Sequence, residues 1–300
     1  MSNECIISKE KNSFECSAVT KWIEIELTSY CGLKCVICPR EKLPKYNFIK
    51  FNDFKKIIDL VKEWNYTEIM VCWLWDAFLH KDINLFLDYL FAELPDIHFF
   101  IMTKWQAIRQ EHLDKIKELK EKWYNISLTF SIFSLNKKIY NYLTGWNYFN
   151  TFMNTFKKVI SMNLDFSIEF LLSTLTLWEL DKFKEFAKTI WKNDYWISLV
   201  HNWWWEISAN IHNKLFDEWK LSGFYEKRKE GDLCEAIKYD YLYIDSFWDV
   251  FQCSLNELHR KWLLWKIWEY SLEEFLEKKR ALNYKKTCEW CFYLDYKTFC

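Results

Sequence analysis

Glycine is scarce in this 300-residue chain: there are four, where average usage of about 7% would supply roughly 21. Positions whose backbone geometry favours glycine must therefore hold something else. Net charge is nearly missing too. At −1 it leaves no electrostatic footprint for nucleic acid or an anionic membrane. No apolar run reaches the ~18 residues of a membrane span. The polar opening MSNECIISKEKNSFEC has no signal-peptide core. These absences lead us to expect a cytoplasmic protein with neither a membrane nor a nucleic-acid partner.

Tryptophan is in excess, with 19 residues. The tryptophan and glycine counts together come close to ordinary glycine usage, and several Trp occupy glycine-like places. Trp248 sits at the turn of Tyr-Ile-Asp-Ser-Phe-Trp-Asp-Val-Phe between two strand-like runs, where a positive φ is usual. Trp203-Trp204-Trp205 follow an apolar strand, where a glycine run would be natural. This suggests a gene that reads UGA as glycine but was translated with UGA as tryptophan. A truly Trp-rich chain with an aromatic core is the alternative. UGG codons at these sites in the DNA would exclude recoding.

Three hundred residues suffice for one large domain with a small appendage or for a single α/β barrel, and with half of them hydrophobic the chain can bury a sizeable core. Strand-like runs at Trp22–Leu27, Thr67–Cys72, Ile97–Met102, Ile126–Ile132, Asp165–Leu172 and Trp196–Val200 alternate with amphipathic stretches near 52–64, 82–92, 109–121, 147–161 and 177–190. Six βα repeats are too few for a closed eight-stranded barrel. They suit an α/β fold built on a partial (β/α)6 TIM-like barrel, with the active face at the strand C-termini. Boundaries follow: a tail at 1–20, the barrel at 21–212, a polar connector at 213–233, and a small cysteine-rich domain at 234–300.

Eleven cysteines in an intracellular chain of this size suggest metal rather than disulfides. Cys31-Gly-Leu-Lys-Cys35-Val-Ile-Cys38 places three thiols on one loop just after the first strand. Three thiolates can hold three irons of a [4Fe–4S] cluster, leaving the fourth open to a reacting ligand. Zinc would want a fourth protein ligand, and no His lies on the loop. Later come Cys234, Cys253, Cys288 and Cys291, with Cys300 at the end. These fit a second [4Fe–4S] cluster or a four-cysteine zinc site.

The C-x3-C-x2-C spacing in this strand–loop context resembles the signature of radical S-adenosylmethionine (SAM) enzymes. The resemblance implies that the open iron is chelated by the amino and carboxylate groups of SAM. Met70-Val-Cys-Trp73-Leu-Trp75-Asp76-Ala77 is similar to the family's glycine-rich edge after strand two if both Trp are Gly, with Asp76 in place of Glu and Ala77 in place of Pro. It implies SAM contacts at Trp73, Trp75 and Asp76. Thr103-Lys104-Trp105 resembles the Thr-Asn-Gly after strand three, and Tyr140–Gly145 the segment after strand four. The latter puts Ser131 near the SAM ribose, although a strand-end serine bonding locally is an equal reading. His201-Asn202-Trp203-Trp204 would end strand six near the adenine, with a structural role for His201. The stretch from Cys234 to Cys291 is similar to SPASM or twitch auxiliary-cluster extensions, and Ser271 with Glu274 forms a capping box within it. The cluster would sit on Cys234, Cys253, Cys288 and Cys291, leaving Cys300 unassigned.

The expected function is reductive cleavage of SAM to a 5′-deoxyadenosyl radical that takes hydrogen from a substrate. That substrate is a peptide, a protein or a small molecule, and the electron donor is a flavodoxin or ferredoxin. The ~20 residues before the barrel are too few for a peptide-binding domain. The rival readings are a non-catalytic scaffold with two zinc sites and a degenerate member that binds SAM without chemistry, in which indoles at 73 and 75 crowd the pocket.

Overall fold

Runs such as Ile-Ser-Leu-Thr-Phe-Ser-Ile set apolar residues on alternate positions, and in the computed structural model each run becomes a strand. The structure describes residues 21–36, 38, 46–71, 75–173, 175–190, 195–199, 225–227, 241–253, 263–282 and 296–298. The strands are β1 (Trp22–Ile25), β2 (Glu68–Val71), β3 (His98–Thr103), β4 (Ile126–Ile132), β5 (Phe166–Leu172) and β6 (Tyr195–Leu199). Between them lie α1 (Phe51–Glu63), α2 (Ile83–Glu93), α3 (Gln110–Glu121), α4 (Lys137–Thr144), α5 (Phe149–Ser161) and α6 (Leu180–Thr189). The six strands pair in parallel in chain order, so the fold is the expected partial (β/α)6 barrel. One helix is expected after β4, but two form. Gly145, at φ 71°, ends α4 before α5 begins.

Each strand has a helix-facing side and an interior side. Ile23 and Ile25 on β1 join Ile57, Ile58 and Val61 of α1 in the main core. The opposite side of the sheet is buried but polar. Glu24, Glu26, Thr129, Ser131, Glu169 and Ser198 are each no more than 3% exposed.

The predicted hairpin forms from β8 (Leu242–Ile244) and β9 (Asp249–Phe251). It is not set apart from the barrel sheet. β8 pairs in parallel with β1, and β10 (Leu263–Lys266) extends the sheet beyond β9. α7 (Leu272–Arg280) opens with the expected capping box of Ser271 and Glu274. Part of the expected connector, Tyr225–Lys227, is a strand (β7) that pairs antiparallel with β11 (Tyr296–Thr298).

Five non-glycine residues adopt positive φ among the described residues: Asn65, Trp105, Trp123, Asn163 and Trp248. Three helices end alike. After α1, α3 and α5 the backbone turns left-handed at Asn65, Trp123 and Asn163, and the next amide bonds back to Val61, Leu119 and Val159. Glycine or asparagine normally fills this cap position, so Trp123 is the odd member. Its side chain is 94% exposed. Trp248, at φ 67°, follows a turn closed by its own amide on the Asp245 carbonyl, the place that takes a left-handed glycine in a three-residue hairpin loop.

Candidate metal and cofactor site

The cysteine loop leaves β1 and is pinned at its root. Ile49 N donates to Leu27 O (3.0 Å), Ser29 N to Asn47 O (3.0 Å) and Asn47 N to the Ser29 hydroxyl (2.8 Å). Thr28 Oγ1 donates to Asn47 O at 2.9 Å. Farther along, the loop rests on the end of α4. Lys34 N donates to Thr144 O (3.1 Å), and Val36 N to Leu143 O (2.9 Å). Cys38 N turns back onto Cys35 O at 2.9 Å.

Cys31, Cys35 and Cys38 are present as thiols, the first buried and the others half-buried. Burial pushes the Cys31 thiol up to about 12, with Asp76 and Cys38 raising it further and Lys104 opposing. Burial also raises Cys35 well above its usual value, reinforced by Cys31 and Cys38. Neutral thiols are therefore favoured until a cation takes the three together. Among the described residues, no three His, Cys, Asp or Glu converge as a single ion requires. A cluster that binds each thiolate through its own iron needs no such convergence. The donor set, three thiols and no imidazole on the described part of the loop, is of the kind an iron–sulfur cluster takes.

The Asp76 carboxylate, five residues beyond β2, is fully buried. It caps the turn at Ala77–Leu79 through Phe78 N (3.2 Å) and accepts from the Thr103 hydroxyl and Lys104 N, also at 3.2 Å. Burial raises it to about 6 against the pull of Lys104. Asp76 therefore ties the turn at Ala77–Leu79 to the end of β3, near Cys31. Trp75 is buried next to it, and Trp73 lies outside the described residues. Trp105 adopts φ 76°. Its ring stacks on Phe130 at 3.4 Å, meets Phe152 and Phe156, and donates from Nε1 to Ser131 O.

Ser131 bonds inward rather than standing unengaged. Its hydroxyl donates to Glu169 Oε2 (2.8 Å), and Ser198 donates to the other oxygen (2.6 Å). Sequence reasoning missed Glu169, Glu26, Asp245 and the buried Lys104. Glu26 accepts from the Tyr243 hydroxyl (2.7 Å) and Ser246 N (3.1 Å), and burial lifts it to about 7. Asp245 is lifted to about 7 by burial and by Glu26. The available signal was an acid at interior parity inside an apolar strand, as in Ile-Glu-Ile-Glu-Leu at 23–27.

Cys253 lies two residues beyond the end of β9 and is half-buried. Cys234, Cys288, Cys291 and Cys300 lie outside the described residues, as do His201 to Trp205. No helix among the described residues is long and apolar enough to cross a membrane.

The family model of the radical SAM superfamily matches residues 25–187, from the root of the cysteine loop to α6. The chain belongs to the radical SAM superfamily. Several solved structures share its fold at low identity. SuiB of Streptococcus suis bound to precursor peptide SuiA is 14% identical over 91% of this chain and 70% of its own, with a TM-score of 0.68. Native anSMEcpe with bound AdoMet and Cp18Cys peptide is 15% identical over 92% and 88%, with a TM-score of 0.64. BtrN in complex with AdoMet and 2-DOIA is 13% identical over 89% and 87%, with a TM-score of 0.53. No curated protein sequence matches the chain significantly.

Proposed function

We propose that this radical SAM protein cleaves SAM reductively and abstracts hydrogen from a peptide or protein side chain, with its catalytic cluster on Cys31, Cys35 and Cys38. The observation that carries the reading is the trio of free thiols on one loop pinned between β1 and α4, inside the matched family region. When bound, the cluster and SAM supply one electron and the 5′-deoxyadenosyl radical that takes the hydrogen atom. Cys31, Cys35 and Cys38 would hold the cluster through three of its irons, which would leave the fourth open to SAM. Asp76, Thr103 and Lys104 fix the rim beside Cys31, and the paired strands behind that rim hold it rigid. SAM contacts at Trp73, Trp75, Asp76 and Ser131 remain part of this proposal. A peptide substrate is favoured over a small molecule because SuiB and anSMEcpe, of similar fold, are seen with peptides. BtrN with 2-DOIA supports the small-molecule alternative. A flavodoxin or ferredoxin would supply the electron.

We place a second [4Fe–4S] cluster on Cys234, Cys253, Cys288 and Cys291, in a SPASM- or twitch-like segment at 234–300, as an electron acceptor for the substrate radical. The hairpin leading into Cys253 supports this. We also propose that the Trp at left-handed positions stand for glycine read from UGA codons. Support comes from Trp105, Trp123 and Trp248, which adopt positive φ beside Gly145.

Anaerobic reconstitution with iron and sulfide, then SAM and dithionite, tests the function. We expect 5′-deoxyadenosine from the intact chain and none after Cys31, Cys35 and Cys38 become alanine. Zinc uptake without iron would favour the scaffold reading. SAM binding without cleavage would favour the degenerate one.

A further inference from the structure

The second anchorage of the cysteine loop carries an electrostatic sign. α4 has eight residues, and the carbonyls of its last turn find no partner further along the helix. Gly145 N closes one of them, Tyr142 O, at 3.2 Å. The next two accept from the cysteine loop: Leu143 O from Val36 N at 2.9 Å, and Thr144 O from Lys34 N at 3.1 Å. Glycine is required twice at position 145. The backbone is left-handed at φ 71°, and a Cβ would lie 2.2 Å from the Lys34 carbonyl oxygen. From the side, the Lys34 ammonium sits 5.1 Å from the Trp146 ring centroid. Tyr140 on the same helix is fully buried, and its phenol is raised by burial and by the nearby Cys35.

We propose that the C-terminus of α4, fixed by Gly145, is a positioning device that holds the Cys31–Cys38 loop and lowers the reduction potential of the cluster bound there. The inference rests on the reading that these cysteines carry an iron–sulfur cluster. Two effects act in one direction. A helix C-terminus presents about half a negative charge, and reduction adds negative charge beside it, so the oxidised state is favoured. Hydrogen bonds to cluster sulfurs shift the potential, and amides that donate to them stabilise the reduced form. The Lys34 and Val36 amides are spent on carbonyls instead. A strongly reducing cluster is what one-electron cleavage of a sulfonium demands.

The test uses the full chain, reconstituted anaerobically, with a redox titration followed by electron paramagnetic resonance and with amide hydrogen exchange on the metal-free protein. Gly145→Ala should still assemble a cluster, but its reduced fraction at a fixed donor potential should rise severalfold. Exchange at Lys34 and Val36 should quicken by about tenfold. Asn136→Ala removes the other end's cap, where the side chain accepts from Lys138 N and Ile139 N, and should leave the potential in place. An unchanged titration in Gly145→Ala, or an equal shift in Asn136→Ala, overturns the proposal. If Gly145→Ala does not fold, exchange in the unsubstituted chain decides. Lys34 and Val36 protected as well as the amides of α4 support the device, and rapid exchange there overturns it. Failure of the unsubstituted chain to take up iron and sulfide would instead remove the cluster reading beneath it.

Discussion

Ser131 on β4 donates its hydroxyl to Glu169 on β5 at 2.8 Å, and the two residues sit opposite each other in the strand register. Ser198 completes the arrangement from β6 at 2.6 Å. A carboxylate with a hydroxyl on either side ties three consecutive strands together on the barrel's interior side. We expect Glu169→Ala to destabilise the fold by about 2–3 kcal/mol, since two buried hydroxyls lose their acceptor. Glu169→Gln keeps an acceptor and should cost about 1 kcal/mol. Urea unfolding of both variants checks the order, and an equal cost would contradict it.

Stability should fall as pH rises across the mildly acidic range. Glu26 and Asp245 have folded values near 7, and Asp76 near 6, all above their ordinary carboxylate values. The native state therefore holds protons that the unfolded chain has already released, and each added pH unit costs the native state. The loss begins above the ordinary carboxylate range and levels off once pH passes about 7. Glu26→Gln should flatten this slope. Denaturation midpoints from pH 5 to 8 measure it, and a slope of the opposite sign would refute the assignment.

Trp123→Gly should stabilise the chain as written by about 1 kcal/mol, because the left-handed strain is relieved and the exposed indole gives up little burial. Trp105→Gly should cost about 2–4 kcal/mol despite the same relief, because its ring is fully buried on Phe130. Thermal melts separate the two. Peptide mass spectrometry on protein from its own cells addresses the codon question directly: tryptophan masses at 105, 123 and 248 would end the recoding proposal.

Alanine at Cys288 and Cys291 should abolish product while SAM cleavage continues, since electron acceptance is assigned to the second cluster. Parallel assays for 5′-deoxyadenosine and modified substrate read this. A folded double variant that no longer cleaves SAM would refute the division of labour.

Much of the barrel was legible because alternation marks strands whose two faces differ. β4 runs Ile126–Ile132, as the pattern implied. The break between α4 and α5 was harder to see. Apolar spacing continues on both sides of it, and only Thr144-Gly145 marks the stop. The buried acids were hidden for another reason. An alternating charge normally faces water, and the pattern at Glu24 and Glu26 takes its inward meaning only once both faces of β1 are known to be covered, where Tyr241 and Tyr243 supply hydroxyls. Lys104 was quoted within a motif, yet its nearness to the thiols arises only when β3 is laid beside β2 and β1.

Because β8 lies against β1, the first strand has neighbours on both flanks. A shortened gene product stopping near residue 200 would uncover a row of bare amides and carbonyls along Ile23–Ile25, together with the unsatisfied acids Glu24 and Glu26. Such a fragment should stick to its own copies rather than stay dispersed, so the amino-terminal two-thirds is a poor unit to express alone.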